Sequence, residues 1–232
     1  MGIIMTNSKP LRLFFLRHGQ TENFEIPPFN GWRDAPLTAY GRQQLQQVAE
    51  ALSPIGFEAV YSSDLSRAVY GGRCLADRLG LELNIDQQWR EICFGQWEGF
   101  TFQQILKKDS ELVHRIFSPG GHDVLFPGGE SAYIFGERIR AALAALKEKH
   151  PQGGKVALVA HGGVCKMLWE ILLKLSPGQA WQTVRQDFAA VNVADIYSSD
   201  NVVAHLINGY VGPEGYYQSG PGFERLAGRD IF

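Results

Sequence analysis

Two apolar runs in this chain stop in the same way. Leu11-Arg-Leu-Phe-Phe-Leu16 leads into Arg17-His18-Gly19, and Val156-Ala-Leu-Val-Ala160 leads into His161-Gly162-Gly163. Each run is too short for a typical helix and suits a buried strand, with glycine as the breaker. Strands buried on both faces belong in the middle of an α/β sheet. The residues that follow then stand at the carboxyl edge, where such sheets bind ligands. Two parallel strands of this design would bring both imidazoles to one edge.

Between the two runs the pattern alternates. A loop over 20–38, rich in Asn, Pro and Gly, carries Trp32, Arg33 and Asp34. Thr38 reads as an N-cap, followed by Leu45, Val48, Ala49 and Leu52 at helical spacing until Pro54 and Gly56. A second strand is expected over 58–62. Ser63 or Asp64 then caps a helix that runs to about Leu79, and a third strand over 81–85 follows the Gly80 C-cap. A long helix is expected over about 130–150. Ala132, Phe135, Ile139, Leu143 and Leu146 form its apolar stripe, and Lys147, Lys149 and His150 sit at its negative end. After the second His-Gly come a helix over 164–175, a short helical piece past Pro177, and a hairpin of 191–197 with 202–207 around Asp200-Asn201. The expectation is an α/β fold: a three-layer α/β/α sandwich whose mostly parallel central sheet has an antiparallel strand and helices on both faces.

Residues 89–129 break this rhythm. They hold the cluster Arg90-Glu91-Ile-Cys-Phe-Gly95-Gln-Trp97-Glu98-Gly99, short helical pieces over 102–108 and 110–117, and a Gly/Pro-rich loop over 118–129. This reads as a small cap insertion over the carboxyl edge, where inserts commonly set substrate choice. It is too poor in core residues to be a second domain, so a single domain over 1–232 is expected. The Gly-rich, aromatic tail over 212–232 receives no assignment.

Composition narrows the function classes. The chain has 232 residues, 45% hydrophobic and 20% charged, with a formal net charge of −2. That supports one full core and argues against a nucleic-acid partner, which calls for a basic face. No run approaches a membrane span. Cys74, Cys93 and Cys165 form neither a paired framework nor a metal spacing, which points to a reducing compartment. With no signal peptide visible, a cytoplasmic location is expected. Gly2 with Thr6 matches the short myristoylation pattern formally, and is read as a chance match.

The polar residues expected at the carboxyl edge are Arg17, His18, Arg67, Glu91 and His161. A lone histidine at a strand end is usually just hydrogen-bonded, and a lone glutamate in a loop is usually solvated. Together they read differently. Two guanidinium forks and two imidazoles form an anion site, helped by the amides of the Gly162–Gly163 helix start. Phosphoryl transfer needs little beyond positioning and charge stabilisation of this kind. Metal ions often supply that charge, but the sequence offers no carboxylate cluster to hold one. No metal and no cofactor are therefore expected.

Leu16-Arg-His-Gly-Gln-Thr21, Gly31–Gly41, Ser62–Ala68, Arg90-Glu91 with Gly95-Gln-Trp-Glu-Gly99, Pro127-Gly-Gly-Glu-Ser131 and Ala160-His-Gly-Gly163 together resemble the histidine phosphatase superfamily. The resemblance spans roughly residues 11–207. It implies that His18 attacks phosphorus to give a phosphohistidine, while Arg17, Arg67 and His161 hold the phosphoryl oxygens. Glu91 would protonate the leaving oxygen and then assist water, with burial near Trp97 or Phe94 available to raise its pKa. Thr21, Asn23 and Gly162 join the expected phosphate-binding set. Family members commonly carry Asn six residues after the nucleophile, where this chain has Phe24. Asn23 is the nearest substitute.

Within that family the mutases follow their acid with an arginine, and here Ile92 follows Glu91. The segment is instead similar to the phosphatase branch, including α-ribazole-5′-phosphate phosphatases. The expectation is a metal-independent phosphomonoester hydrolase acting on a small metabolite such as α-ribazole 5′-phosphate or a sugar phosphate. A cofactor-dependent phosphoglycerate mutase is the alternative, and a non-catalytic phospholigand-binding protein the second. Oligomeric state stays open. Cys93 and Cys165 are read as small buried residues, and Asp34, Asp64 and Glu130 as groups that orient loops, arginines or helix starts. Trp32, Trp97 and Tyr133 could line a pocket or simply pack.

Overall fold

A computed structural model of the chain describes residues 9–199, 201–212 and 215–218. The Gly2–Thr6 pattern, Asp200 of the expected hairpin turn and the tail beyond 218 lie outside them. The strands are β1 (Leu11–Arg17), β2 (Ala59–Ser62), β3 (Leu83–Ile85), β4 (Gly154–Ala160), β5 (Val191–Ile196), β6 (Val202–Gly212) and β7 (Gly215–Gln218). They form one sheet in the order β3-β2-β4-β1-β5-β6-β7. The first four strands in that order are mutually parallel, and each strand from β5 onward is antiparallel to its predecessor. β7 falls in the stretch left without assignment from sequence.

Residues of β1 alternate between two cores. Leu13 and Phe15 pack with α5 (Ala132–Lys149) and α6 (Gly162–Leu172). Phe14 and Leu16 pack with α1 (Ala39–Leu52) and α2 (Ser66–Leu79). All four are essentially solvent-free, and each contributes about 1.5–3 kcal/mol by burial. This is the expected three-layer arrangement. The cap carries α3 (Phe102–Lys108) and α4 (Ser110–Phe117), as expected from the sequence. Its Trp97, Ile105, Val113 and Phe126 belong to the same core as Phe135 and Ile139 of α5. Among the described residues the last helix, α7 (Gln179–Thr183), follows Pro177.

Thr38 caps α1 as anticipated, accepting from the Gly41 N–H. The start of α2 differs. Its N-cap is Leu65, which offers no side-chain acceptor, because Ser63 and Asp64 are engaged elsewhere. Asp34 from the 20–38 loop replaces them, accepting from the Ser66 N–H at 3.0 Å and hydroxyl at 2.8 Å. α6 begins two residues before the expected start, at Gly162, and stops at Leu172, where Lys174 turns left-handed (φ 53°).

The register of β1 against β4 pairs Arg17 with Ala160, so His18 and His161 emerge side by side. β2 lies on the other side of β4 and pairs Ser62 with Val159, which sets Ser63 next to His161. The chain beyond His18 is pressed onto the start of α1. A Cβ at Gly19 would stand 2.1 Å from the Gly41 carbonyl oxygen, so only glycine fits there.

Candidate active site

The two imidazole rings lie 5.3 Å apart between centroids, and both side chains are buried. His18 Nδ1 is 2.7 Å from the Gly19 carbonyl. A carbonyl only accepts, so Nδ1 carries the proton and Nε2 carries the lone pair. Burial, reinforced by the charges of Arg67 and Arg17, holds His18 well below its ordinary pKa of 6.5. The imidazole is therefore neutral at neutral pH, the state a nucleophile needs. His161 is lowered likewise by burial, Arg67, His18 and Arg17. Its Nε2 meets the Ser63 hydroxyl at 2.7 Å. Ser63, expected as a helix cap, instead orients the second histidine.

Both arginines are anchored through their terminal nitrogens. Arg17 donates from Nη1 to the Gln186 carbonyl at 2.6 Å, and its guanidinium stacks 3.9 Å from the centre of the Phe188 ring. Arg67 donates to the carbonyls of Arg33 (2.8 Å) and Gly31 (2.7 Å). This leaves Arg17 Nε, Arg67 Nε and His161 Nδ1 buried without a hydrogen-bond partner. Buried polar atoms in native proteins are almost always satisfied. Three such nitrogens beside one neutral imidazole are the signature of an anion site.

Glu91 follows the short turn Gln87–Trp89. Its carboxylate accepts from the Gly163 N–H at 2.9 Å and from its neighbour's Ile92 N–H at 3.0 Å. The amide at the α6 start, expected to serve the phosphoryl group, thus serves Glu91. Trp97 and Phe94 pack with Phe29 and Phe126. The aromatic group found beside Glu91 at Gly163 is Trp181, which sequence reasoning did not name.

Arg17, His18, Arg67, Glu91 and His161 are thus linked through shared partners and mutual charge. Gly162 lies close by, its hypothetical Cβ 3.3 Å from Arg17 Nε. Thr21 is buried and bridges Leu37 through its backbone, while Asn23 is exposed in a left-handed turn (φ 60°). Neither side chain hydrogen-bonds to Arg17, His18, Arg67, Glu91 or His161. Phe24 beside them is 43% exposed. Cys165 lies at the α6 start, but burial pushes its thiol far up, so it stays protonated. Asp64 forms a two-point ion pair with Arg90 (2.7 and 2.6 Å), and Glu130 forms one with Arg138 (2.8 and 2.7 Å). Gln186, Phe188 and Arg138 also escaped the sequence reading, because their spacing carries no motif.

Known proteins share the sequence pattern and the fold of this chain. Residues 13–209 match the family model for the histidine phosphatase superfamily, branch 1. The chain belongs to that superfamily. The "Probable phosphoglycerate mutase GpmB" of Salmonella paratyphi B is 32% identical over 189 residues, 82% of this chain and 86% of its own. The alpha-ribazole phosphatase from Shigella flexneri superposes with a TM-score of 0.77 at 26% identity, covering 85% of this chain and 96% of that one. A mycobacterial glucosyl-3-phosphoglycerate phosphatase, solved with inorganic phosphate, superposes at 0.73 with 30% identity, covering 85% and 97%. Histidine phosphatase superfamily neighbours of this chain thus carry both phosphatase and mutase names.

Proposed function

We propose that this protein is a phosphomonoester hydrolase that works through a phosphohistidine on His18. The observation that carries the reading is the set of three unpartnered buried nitrogens, on Arg17, Arg67 and His161, around a neutral His18. A phosphoryl group among them accepts from both arginine nitrogens and, with the proton on Nδ1, from His161; its negative charge offsets the desolvation of the two guanidiniums. His18 Nε2 attacks phosphorus in line, and the P–O bond to the leaving group breaks. Glu91, entering this step as the carboxylic acid, delivers its proton to the departing oxygen and is left as the carboxylate. In the second half Glu91 takes a proton from water, whose oxygen attacks phosphorus and breaks the P–N bond. Inorganic phosphate leaves.

Hydrolysis is preferred to mutase chemistry because a mutase must also grip the second anionic end of its substrate. Two further arginines beside the Glu91 backbone are already engaged by carboxylates, Arg90 by Asp64 and Arg138 by Glu130. Ile92, at the position that is arginine in mutases, is buried in the core. The name of the Salmonella relative favours mutase activity as the second reading.

The test is phosphate release from a panel of phosphomonoesters in EDTA, with His18→Ala alongside. The panel holds p-nitrophenyl phosphate, α-ribazole 5′-phosphate, 3-phosphoglycerate and several sugar phosphates. Release that survives chelation and disappears in the variant supports the reading. Interconversion of phosphoglycerates without net release would replace it with the mutase.

A further inference from the structure

Glu91 sits in a loop, yet its job demands a carboxylate fixed to a fraction of an ångström. The restraint comes from α5. Arg138 donates from Nη1 to the carbonyls of Gln88 (2.8 Å) and Arg90 (2.9 Å), and from Nη2 to the carbonyl of Glu91 itself (3.1 Å). Its Nε and Nη2 also hold Glu130, whose Oε2 accepts from the Cys93 N–H at 2.9 Å. The pair therefore grips the backbone on both sides of Glu91. A third arm is Trp32, whose indole N–H donates to the Glu91 carbonyl at 2.8 Å while its ring lies 4.7 Å from the Arg90 guanidinium. Arg138 and Glu130 are largely buried (side chains 13% and 12% exposed), so water cannot readily replace these bonds.

We infer that Arg138, braced by Glu130, is a positioning residue that holds the Glu91 carboxyl group against the Gly163 N–H, in place to protonate the leaving oxygen when it carries its proton. Arg138 touches none of the reacting atoms. A planar fork is required, because lysine cannot reach three carbonyls and a carboxylate at once. The inference rests on the hydrolase reading for its kinetic consequence, but not for its geometry.

The experiment compares the parent with Arg138→Gln, Arg138→Lys and Glu91→Gln on two substrates. p-Nitrophenyl phosphate expels a stable phenolate and needs no proton, whereas glycerol 3-phosphate expels an alkoxide and does. Rapid quench reads phosphoenzyme formation, and the Gly163 amide resonance reads its bond to Glu91 without any turnover. Arg138→Gln should slow phosphoenzyme formation from glycerol 3-phosphate by about 30-fold, a partial loss of the roughly 100- to 10,000-fold that a well-placed general acid contributes. From p-nitrophenyl phosphate the loss should be under about threefold, as in Glu91→Gln. The Gly163 amide should shift in the same direction as in Glu91→Gln, and Arg138→Lys should recover only part of the loss. Equal losses on both substrates, or an unshifted Gly163 amide, would overturn the inference. Should the parent form no phosphoenzyme from either substrate, the hydrolase reading falls, and the Gly163 resonance alone decides whether Arg138 positions Glu91.

Discussion

The Gly163 N–H donates to Glu91 Oε2 at 2.9 Å, and a Cβ on Gly163 would lie 2.1 Å from Glu91 Oε1. The carboxylate therefore occupies the space that a side chain would take. Gly163→Ala should push Glu91 aside, since a carboxylate on a flexible stem yields more easily than backbone. We expect about a 10- to 100-fold loss of turnover on alkyl phosphates, part of the roughly 100- to 10,000-fold that a well-placed general acid contributes. Stability should hold or rise, because alanine is favoured over glycine within a helix by about 0.5–1 kcal/mol. Steady-state kinetics beside thermal melts would show the split, and a variant as active as its parent would remove Glu91 from the acid's role.

Protonation of the two buried histidines makes stability depend on pH. His18 and His161 sit well below 6.5 in the fold, whereas in the unfolded chain they take up protons near that value. Below about pH 6.5 the unfolded state thus binds more protons, and stability falls as the pH drops towards 5.5. Inorganic phosphate should counter the loss by supplying negative charge to the protonated rings. Urea midpoints at pH 7.5 and 5.5 would measure this, with His161→Gln showing a shallower slope than the parent. Identical slopes would mean that these histidines are not the titrating groups.

Asn192 joins β5 to the loop that holds Arg17. Its Oδ1 accepts from Trp169 Nε1, Gln186 Nε2 and the Asn208 N–H at 2.9–3.0 Å, and its Nδ2 donates to Phe15 O and Gln186 Oε1. Asn192→Ala would leave several buried groups unpaired. A loss of about 3 kcal/mol is expected from unsatisfied donors of this kind. Chemical denaturation would read it, and a loss below about 1 kcal/mol would show that water enters and repairs the network.

Phe188 supports the anion site from the same loop, beneath Arg17 and 5.8 Å from the His18 ring centre. Phe188→Ala should free the guanidinium to move. A stacked pair of this type contributes about 1–2 kcal/mol when desolvated, or roughly 5- to 30-fold in phosphate affinity. Calorimetric titration with inorganic phosphate against parent and variant would test it. Unaltered affinity would show that the Gln186 carbonyl alone suffices to place Arg17.

Much of this was legible in the chain itself. The runs ending in Arg17-His18-Gly19 and Ala160-His161-Gly162 predicted two buried strands. Their parallel pairing, one residue in register before each histidine, brought the imidazoles together. Thr38 as a cap and the two short cap helices were equally readable, because capping and helical periodicity are local effects. Where the expectations failed, a distant group had intervened. Ser63 turned to His161, Asp34 replaced it at the start of α2, and Glu91 took the Gly163 amide that had been expected to bind phosphate.

The sequence by itself determined the sheet's inner strands, its helical layers and the chemical types gathered at its edge, since those follow from apolar periodicity and residue identity. Only the tertiary structure decided which nitrogen each group presents. The Gly19 carbonyl fixes the proton on His18 Nδ1, and the carbonyls of Gln186, Gly31 and Arg33 occupy the outer nitrogens of the two arginines. Arg138 reaches Glu91 from 47 residues away. Hydrogen bonds between backbone carbonyls and remote side chains leave no periodic trace in a sequence, because any residue can offer a carbonyl and only the folded chain brings it within reach.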